Sequence, residues 1–392
     1  MADTLDQLFV TLKHWLLGFA PEVLQPLLSA VISVASVIGV FASLFAITTI
    51  LERKGLGRIQ NRYGPNRVGP FGFLQPAADG IKALIKEDLV PRAADQVVHF
   101  LAPLAVVVPA FLVYTVLPVG RNMVIADFDA GVLFFFAIGA ATELSVFMAG
   151  WSSRNKYSLL GAMRAIAQMI SYEIPLILSA ISVIMMVGSL STVKIVEAQS
   201  GFHACGLGNW FVFTPWGFAG FVLFLISACA EGNRSPFDLP EGESEIIAGY
   251  YLEYSGFKFA LFFLGEYMGL FAISGLAITL FLGGYNAPFA ALNFVPSYVW
   301  FFSKLLCLIL LFIWVRGTLP RLRQDQLMNF AWKFMLPMAL LNIVSAAVWH
   351  FMPPGISRWL AGILLVAGPY VWLGRTLVAN NHVAKRTYRF AE

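Results

Sequence analysis

The stretch LLSAVISVASVIGVFASLFAITTIL (27–51) decides the fold class of this chain of 392 residues. It contains no charged residue, and about 20 apolar residues in a helix cross the hydrocarbon core of a bilayer. Over the whole chain 59% of the residues are hydrophobic and 12% are charged, whereas soluble domains have about 25% charged residues. The composition therefore predicts an integral membrane protein, and no cleaved signal peptide is expected at the N-terminus.

Further segments of the same kind follow along the chain and predict an all-α polytopic protein with one transmembrane domain over 1–392. Hydropathy predicts eight core spans, and a C-terminal segment that contains Pro369 is a ninth candidate. With nine spans, most Lys and Arg residues outside the spans lie on one side, which the positive-inside rule assigns to the cytoplasm. The charge bias thus favours the ninth span and places the N-terminus outside. The predicted spans are 27–51, 97–118, 130–150, 160–190, 213–230, 257–283, 299–319, 332–352 and 357–374.

Cysteine, histidine and charge usage exclude several functions. Cys205, Cys229 and Cys307 stand far apart, and the five histidines form no HExxH or HxxxH pattern. We therefore expect neither a disulfide framework nor a metal site in this chain. The formal net charge of +4 also speaks against nucleic acid as a partner.

Four ionisable residues lie within the predicted spans: Glu143, Arg164, Glu173 and Glu266. Such residues are costly in hydrocarbon and normally face protein or water, so each is a functional candidate. Arg164 and Glu173 point in opposite directions from one helix, which must then pack against protein on both sides. The alternative is a set of ion pairs that only fixes helix packing.

The segment 231–256 is rich in carboxylates and is one of two predicted functional loops on the cytoplasmic side. Crowded carboxylates cannot all ionise at low cost, so some should hold protons near neutral pH. A solvated acidic loop is the alternative, but the apolar residues and prolines in the loop disfavour it. The carboxylates are Glu231, Asp238, Glu241, Glu243, Glu245 and Glu253.

The segment 52–96 is the other predicted functional loop, and it is the longest and most basic. Within a helix-like stretch at 75–88, Asp79, Lys82 and Lys86 recur at helical spacing and predict one charged face. Such a face can line a pocket or a partner surface. A determinant of topology in contact with lipid headgroups remains the alternative.

Four long motifs give the chain a specific resemblance. They are ERKGLGRIQNRYGPNRVGPFGFLQPAADGIKALIKED, beginning at residue 52, GAMRAIAQMISYE (161–173), AEGNRSPFDLPEGESEIIAGYYLEY (230–254) and WVRGTLPRLRQDQLM (314–328). In this order they resemble the H-subunit family of the proton-pumping NADH:quinone oxidoreductase, respiratory complex I. The resemblance covers roughly residues 25–350, and the family includes mitochondrial NADH dehydrogenase subunit 1.

The resemblance implies a membrane subunit without a redox centre of its own. It would enclose quinone, the substrate, together with 49-kDa-type and PSST-type peripheral subunits, and it would adjoin other membrane-arm subunits and lipid. FMN and iron–sulfur clusters would lie in the partners. The residues that match the quinone chamber are Arg53, Arg62, Asp79, Lys82, Lys86 and Arg234. Those that match the proton-coupling path are Glu143, Glu173, Glu231, Asp238, Glu241, Glu243, Glu245 and Glu266. The structural charged residues are Arg164, Arg316, Arg321 and Asp325.

Two other functions are compatible with parts of the sequence. A related subunit of a membrane-bound hydrogenase or ferredoxin-linked complex would keep the acidic loop without a quinone, but the full basic motif favours the quinone branch. A stand-alone ion carrier would use an intramembrane carboxylate path, but we find no inverted repeat. Length and the C-terminal segment favour a bacterial plasma membrane over a mitochondrion.

Overall fold

Helices make up the secondary structure of the computed structural model, which describes residues 5–203, 206–238 and 248–380. Eight helices in these ranges are long and apolar enough to cross a membrane, and an apolar helix of 17 residues stands between the fourth and the fifth of them. The membrane helices are α2 (Gln25–Ile59), α4 (Gln96–Val116), α5 (Gly131–Ser152), α6 (Lys156–Val187), α8 (Pro215–Glu231), α9 (Gly256–Phe281), α10 (Ser297–Thr318), α11 (Gln324–Phe351) and α12 (Ile356–Asn380). Three shorter helices are α1 (Leu8–Leu17), α3 (Gln75–Ile85) and α7 (Thr192–Ala198).

The connections between the membrane helices gather at two ends of the bundle. At one end, which we call the basic end, Asp95 N–H donates to the carbonyl of Ser152 and Leu322 N–H donates to the carbonyl of Pro236. At the opposite end the side chain of Asn286 donates to the carbonyl of Val196. This arrangement is the one expected when successive helices cross a membrane in opposite directions.

Helix α9 forms the centre of the bundle, because all its residues from Leu270 to Phe281 are buried. Helices α2 and α12 lie at the periphery and expose apolar side chains such as Val31 and Leu364. At Gly265 a Cβ atom would lie 2.3 Å from Val106. Glycine therefore allows α9 to approach α4 closely, beside the acidic residue Glu266.

All nine predicted spans correspond to helices, including the C-terminal one, but two boundaries were wrong in ways that matter. Helix α2 continues to Ile59, so Glu52 belongs to a membrane helix and not to the loop. Helix α3 ends at Ile85, and Lys86 has an extended backbone. The predicted common face of Asp79, Lys82 and Lys86 is thus limited to its first two members.

Candidate functional site

A cavity in the interior of the bundle brings together three acidic residues that are far apart in the sequence. Glu173 of α6, Glu231 at the end of α8 and Glu266 of α9 all line it. The cavity has a volume of about 80 Å³, which is room for several water molecules. The remaining wall is mainly apolar and comes from α4, α5, α6 and α9, with Val106 and Phe135 as examples. The carboxyl groups therefore face a small space with mainly apolar walls.

Glu143 joins this group although it does not line the cavity. Its side chain in α5 lies beside that of Glu173 in α6, within reach of a hydrogen bond when one of the two carboxyl groups is protonated. Two carboxyl groups in this contact can share one proton between their oxygens. The helices α5 and α6 thus place a carboxyl pair at the edge of the cavity.

Glu266 is held by two tyrosines from the end of the acidic segment. The hydroxyl of Tyr250 lies 3.0 Å from its Oε1 atom, and the hydroxyl of Tyr251 lies 3.4 Å from the same atom. Tyr250 also lines the cavity. The orientation of Glu266 therefore depends on where the segment 248–255 is docked.

Gln168 fastens the other end of the acidic segment. Its Nε2 atom donates to the carbonyls of Ala230 and Phe237, each at 2.7 Å, and approaches Oδ1 of Asn233 at 3.3 Å. Gln168 is fully buried, so its amide takes the place of water at the carbonyl of Phe237 and adds to the backbone N–H of Asn233 at the carbonyl of Ala230. The segment beside Glu231 is thereby fixed to α6.

Replacing Gln168 with leucine should loosen this segment. A buried carbonyl without a donor costs about 1–3 kcal/mol, so amide hydrogen exchange of residues 231–238 should become about tenfold faster in the purified complex. The variant Gln25→Leu is the control, because Gln25 donates to the carbonyl of Ala20 at the opposite end. Unchanged exchange in 231–238 would contradict the role of Gln168.

Another acidic residue, Glu52, lies in a buried charged cluster at the basic end. Arg234 Nη1 lies 3.2 Å from its Oε1 atom, Arg316 donates to the same oxygen, and the hydroxyl of Tyr267 donates to Oε2. The guanidinium of Arg234 also lies 4.1 Å above the ring of Tyr267. The side chain of Glu52 is 7% exposed and that of Arg234 10%. This cluster ties α2, α9, α10 and the acidic segment together.

The predicted quinone-chamber residues form one group of three and three separate residues. Arg53 Nη1 lies 2.7 Å from Oδ2 of Asp79, and Lys82 lies 4.0 Å from Oδ1 of the same carboxylate, so these three meet on the exposed surface. Arg62 is exposed and donates to Gln60. The other two predicted residues lie apart from them: Lys86 is exposed beyond α3, and Arg234 belongs to the buried cluster.

The final part of the acidic segment is docked on the final part of the basic loop. Ser255 Oγ accepts from Leu89 N–H at 2.8 Å, and Lys258 forms an ion pair with Asp88 at 2.7 Å. The ring of Tyr254 stacks on His99 at 4.0 Å. Burial raises the pKa of Tyr254 to about 12, and its hydrogen bond with Ser152 partly lowers it. Tyr254 is therefore a neutral contact at neutral pH.

The other predicted residues lie outside these groups or outside the described residues. Arg164 Nε donates to Gln324 at 3.0 Å. The contacts of Arg316 and Asp325 lie in different places. Arg316 pairs with Glu52 in the buried cluster, and Asp325 pairs with Arg323 at 3.4 Å on the surface. Arg321 and Asp238 are half-buried. Glu241, Glu243, Glu245 and Cys205 lie outside the described residues.

Sequence reasoning missed Glu52 and Tyr267 as site residues. The apolar run stops at Leu51 and so predicts that Glu52 belongs to the loop, although helix α2 continues. A tyrosine in an apolar helix gives no signal of its own. Within the ranges 5–203, 206–238 and 248–380, no group of three or more His, Cys, Asp and Glu side chains is arranged to hold a metal ion.

Comparison with known proteins adds to this geometry. The family described as NADH dehydrogenase matches residues 32–347. The H subunit of NADH-quinone oxidoreductase from Dehalococcoides mccartyi (strain CBDB1) is 50% identical over 307 residues, 78% of this chain and 83% of that protein. The H subunit from Geobacillus kaustophilus is 49% identical over 306 residues, 77% of this chain and 89% of that protein. The H subunit from Bacillus cytotoxicus is 48% identical over 316 residues, 80% and 92% of the two chains. Matches of this extent, spread over nearly all the membrane helices, show that the chain belongs to the NADH dehydrogenase family of complex I membrane subunits, the family of the NADH-quinone oxidoreductase H subunit.

Proposed function

We propose that this chain forms the membrane wall of the quinone chamber of complex I and couples reduction of quinone by NADH-derived electrons to proton translocation. The observation that carries the proposal is the shared cavity of Glu173, Glu231 and Glu266, with Glu143 beside Glu173 at its edge. Carboxyl groups that line one small cavity can exchange protons with one another through bound water.

Electrostatics gives the coupling its physical basis. Reduction of a quinone places negative charge near the basic end, and in a medium of low dielectric constant that charge acts more strongly than in water. Moving one charge against 100 mV requires about 2.3 kcal/mol. Redistribution of protons among a few carboxyl groups is on this scale, since one pKa unit corresponds to about 1.4 kcal/mol.

The acidic segment 231–256 is the candidate element that responds to the quinone. Its start is fastened by Gln168 and its end by Ser255. Tyr250 and Tyr251 of the same segment hold Glu266. A shift of the segment would therefore change the surroundings of the cavity carboxyl groups directly.

The exposed group of Arg53, Asp79 and Lys82 supports a quinone chamber that partner subunits complete. Next to these charges helix α3 exposes Leu84 and Ile85. A surface with both charged and apolar side chains suits a quinone, which has polar carbonyls and an apolar tail. We assign the peripheral partners to the 49-kDa and PSST types, which supply FMN and iron–sulfur clusters with the rest of the peripheral arm. Since the three relatives compared are bacterial, we place the chain in a bacterial plasma membrane.

Kinetics of the variant Arg53→Ala should test the chamber. Loss of the guanidinium leaves Asp79 without its closest partner, so the KM for a short-chain quinone should rise by about 3- to 10-fold, which corresponds to the 0.5–1.5 kcal/mol of a typical hydrogen bond. Ferricyanide reduction by the same membranes should not change, because it reports on the peripheral arm alone.

Arg58→Ala is the matched control for this experiment. Arg58 is also exposed on α2, but it projects about 140° around the helix from Arg53, and its replacement should alter KM less than twofold. An unchanged KM in Arg53→Ala, with normal assembly, would remove this face from the quinone chamber.

A further inference from the structure

A buried lysine lies at the opposite end of the bundle, outside the proposed coupling site. Lys304 of α10 is 8% exposed. Its ammonium group donates to the carbonyls of Leu282, Gly284 and Asn286, each at 2.7 Å. An ammonium group has three N–H donors, so all of them are used by the turn that follows α9.

An aromatic ring completes the surroundings of this charge. Lys304 Nζ lies 4.1 Å from the centre of the Trp210 ring, a cation–π contact that is stronger away from water. The turn itself has positive φ angles at Gly283 and Gly284. A Cβ atom at Gly283 would lie 2.4 Å from Trp210, so the glycine allows the ring to close over the turn.

Polar side chains connect this turn to the long connection between α6 and α8. Gln199 is fully buried; its amide group donates to the carbonyls of Thr279 and Leu280 and accepts from Gly283 N–H at 3.0 Å. Asn286 donates to the carbonyl of Val196 at 3.0 Å. We call Lys304, Trp210, Gln199 and the turn 282–286 the cap. Its hydrogen bonds replace those that water would otherwise make with the end of α9.

Tightly packed apolar side chains lie between the cap and the carboxylate cavity. Phe271, Leu276, Phe281, Phe301 and Leu305 are all fully buried. Glu266 and Leu282 are 16 residues apart along α9, which corresponds to about 24 Å at 1.5 Å per residue. The hydroxyl groups along this part of the helix donate to its own backbone: Ser274 to Leu270 and Thr279 to Gly275.

We propose that Lys304 holds the cap closed and that the closed cap insulates the opposite face of the membrane from the carboxylate cavity. The hydrogen bonds of the Lys304 side chain hold the turn 282–286 in place and keep water away from the end of α9. The loss of Lys304 would leave three carbonyls without donors beside a polar side chain network, which favours entry of water.

Passive proton flux through the purified complex in liposomes tests this inference. An imposed pH gradient with a potassium diffusion potential drives the flux, and an entrapped pH dye records it without NADH or quinone. The wild-type complex should leak within twofold of liposomes without protein. Lys304→Met should leak at least fivefold faster, and Lys304→Arg, which keeps the charge and donors, should remain near wild type. Lys194→Met is the control, since Lys194 forms a surface ion pair with Asp129 at the same end.

Equal leakage of Lys304→Met and wild type would overturn the inference. If Lys304→Met does not assemble, Trp210→Leu is the alternative variant. It removes the ring that covers Lys304 and should raise the proton flux about twofold or more. Hydrogen exchange of the wild-type complex is a further check, because the amides of 283–286 should exchange as slowly as those inside α9. Rapid exchange there would contradict a closed cap.

The inference rests on the proposed function only in that the cavity carboxyl groups carry protons. Passive flux is measured without turnover, so its outcome is independent of whether these groups couple quinone reduction to pumping. If Glu173→Gln loses coupling but Lys304→Met shows no increase in passive proton flux, the role of the cap is refuted and the proposed function stands.

Discussion

Membranes with Glu173→Gln should reduce ferricyanide normally but lose proton pumping linked to quinone reduction by about 10- to 100-fold. Glutamine keeps the size of the side chain and its contact with Glu143 but cannot bind or release a proton. Positioned proton-transfer groups contribute about 10²- to 10⁴-fold to a rate, and the expected loss reaches only the lower limit of that range because neighbouring carboxyl groups can partly take over. Quinone reduction sensitive to an inhibitor and the pH gradient that it generates are the measurements.

Glu197→Gln provides the control for this result. Glu197 is an exposed glutamate at the opposite end of the bundle, and its replacement should leave pumping within twofold of wild type. Because the side chains of Glu143 and Glu173 lie beside each other, the double variant Glu143→Gln/Glu173→Gln should cost less than the product of the single losses. Full pumping by Glu173→Gln would exclude this residue from the coupling path.

Glu52→Gln should have the largest effect on stability. The substitution leaves Arg234 and Arg316 close together without a carboxylate, and the side chain of Arg234 is nearly buried. Removing one partner of a buried ion pair costs about 3–5 kcal/mol, which is a large part of the stability of a typical protein. We expect a marked loss of assembled complex, measured by its yield from membranes and by the temperature at which it dissociates.

Two further variants test whether the loss of stability comes from the unpaired buried charge or from substitution in general. Asp129→Asn removes the partner of Lys194 on the surface, where the carboxylate is 97% exposed, and it should change stability by less than about 1 kcal/mol. Glu52→Gln/Arg316→Gln should recover part of the loss, because one uncompensated charge is removed with the carboxylate. A single variant Glu52→Gln as stable as wild type would show that this carboxylate does not hold the cluster together.

Sequence reasoning anticipated the acidic members of the site better than their arrangement. Glu143, Glu173 and Glu266 could be found because a carboxylate in an apolar span is costly and therefore informative. Glu52 could not, because it follows the last apolar residue of its span and looks like a loop residue. Tyr267 and Lys304 gave only weak signals, since their long side chains have apolar bodies that suit a membrane helix.

The sequence alone determined the membrane class, the all-α polytopic fold and the clustering of positive charges in particular connections. These properties depend on hydropathy and on charge counts, which are sums over residues near one another in the chain. The tertiary structure decided which charges meet. Glu173, Glu231 and Glu266 share a cavity, and Glu52 binds Arg234 and Arg316. Contacts between residues so far apart depend on how helices pack and rotate against one another, which no local pattern in the sequence specifies.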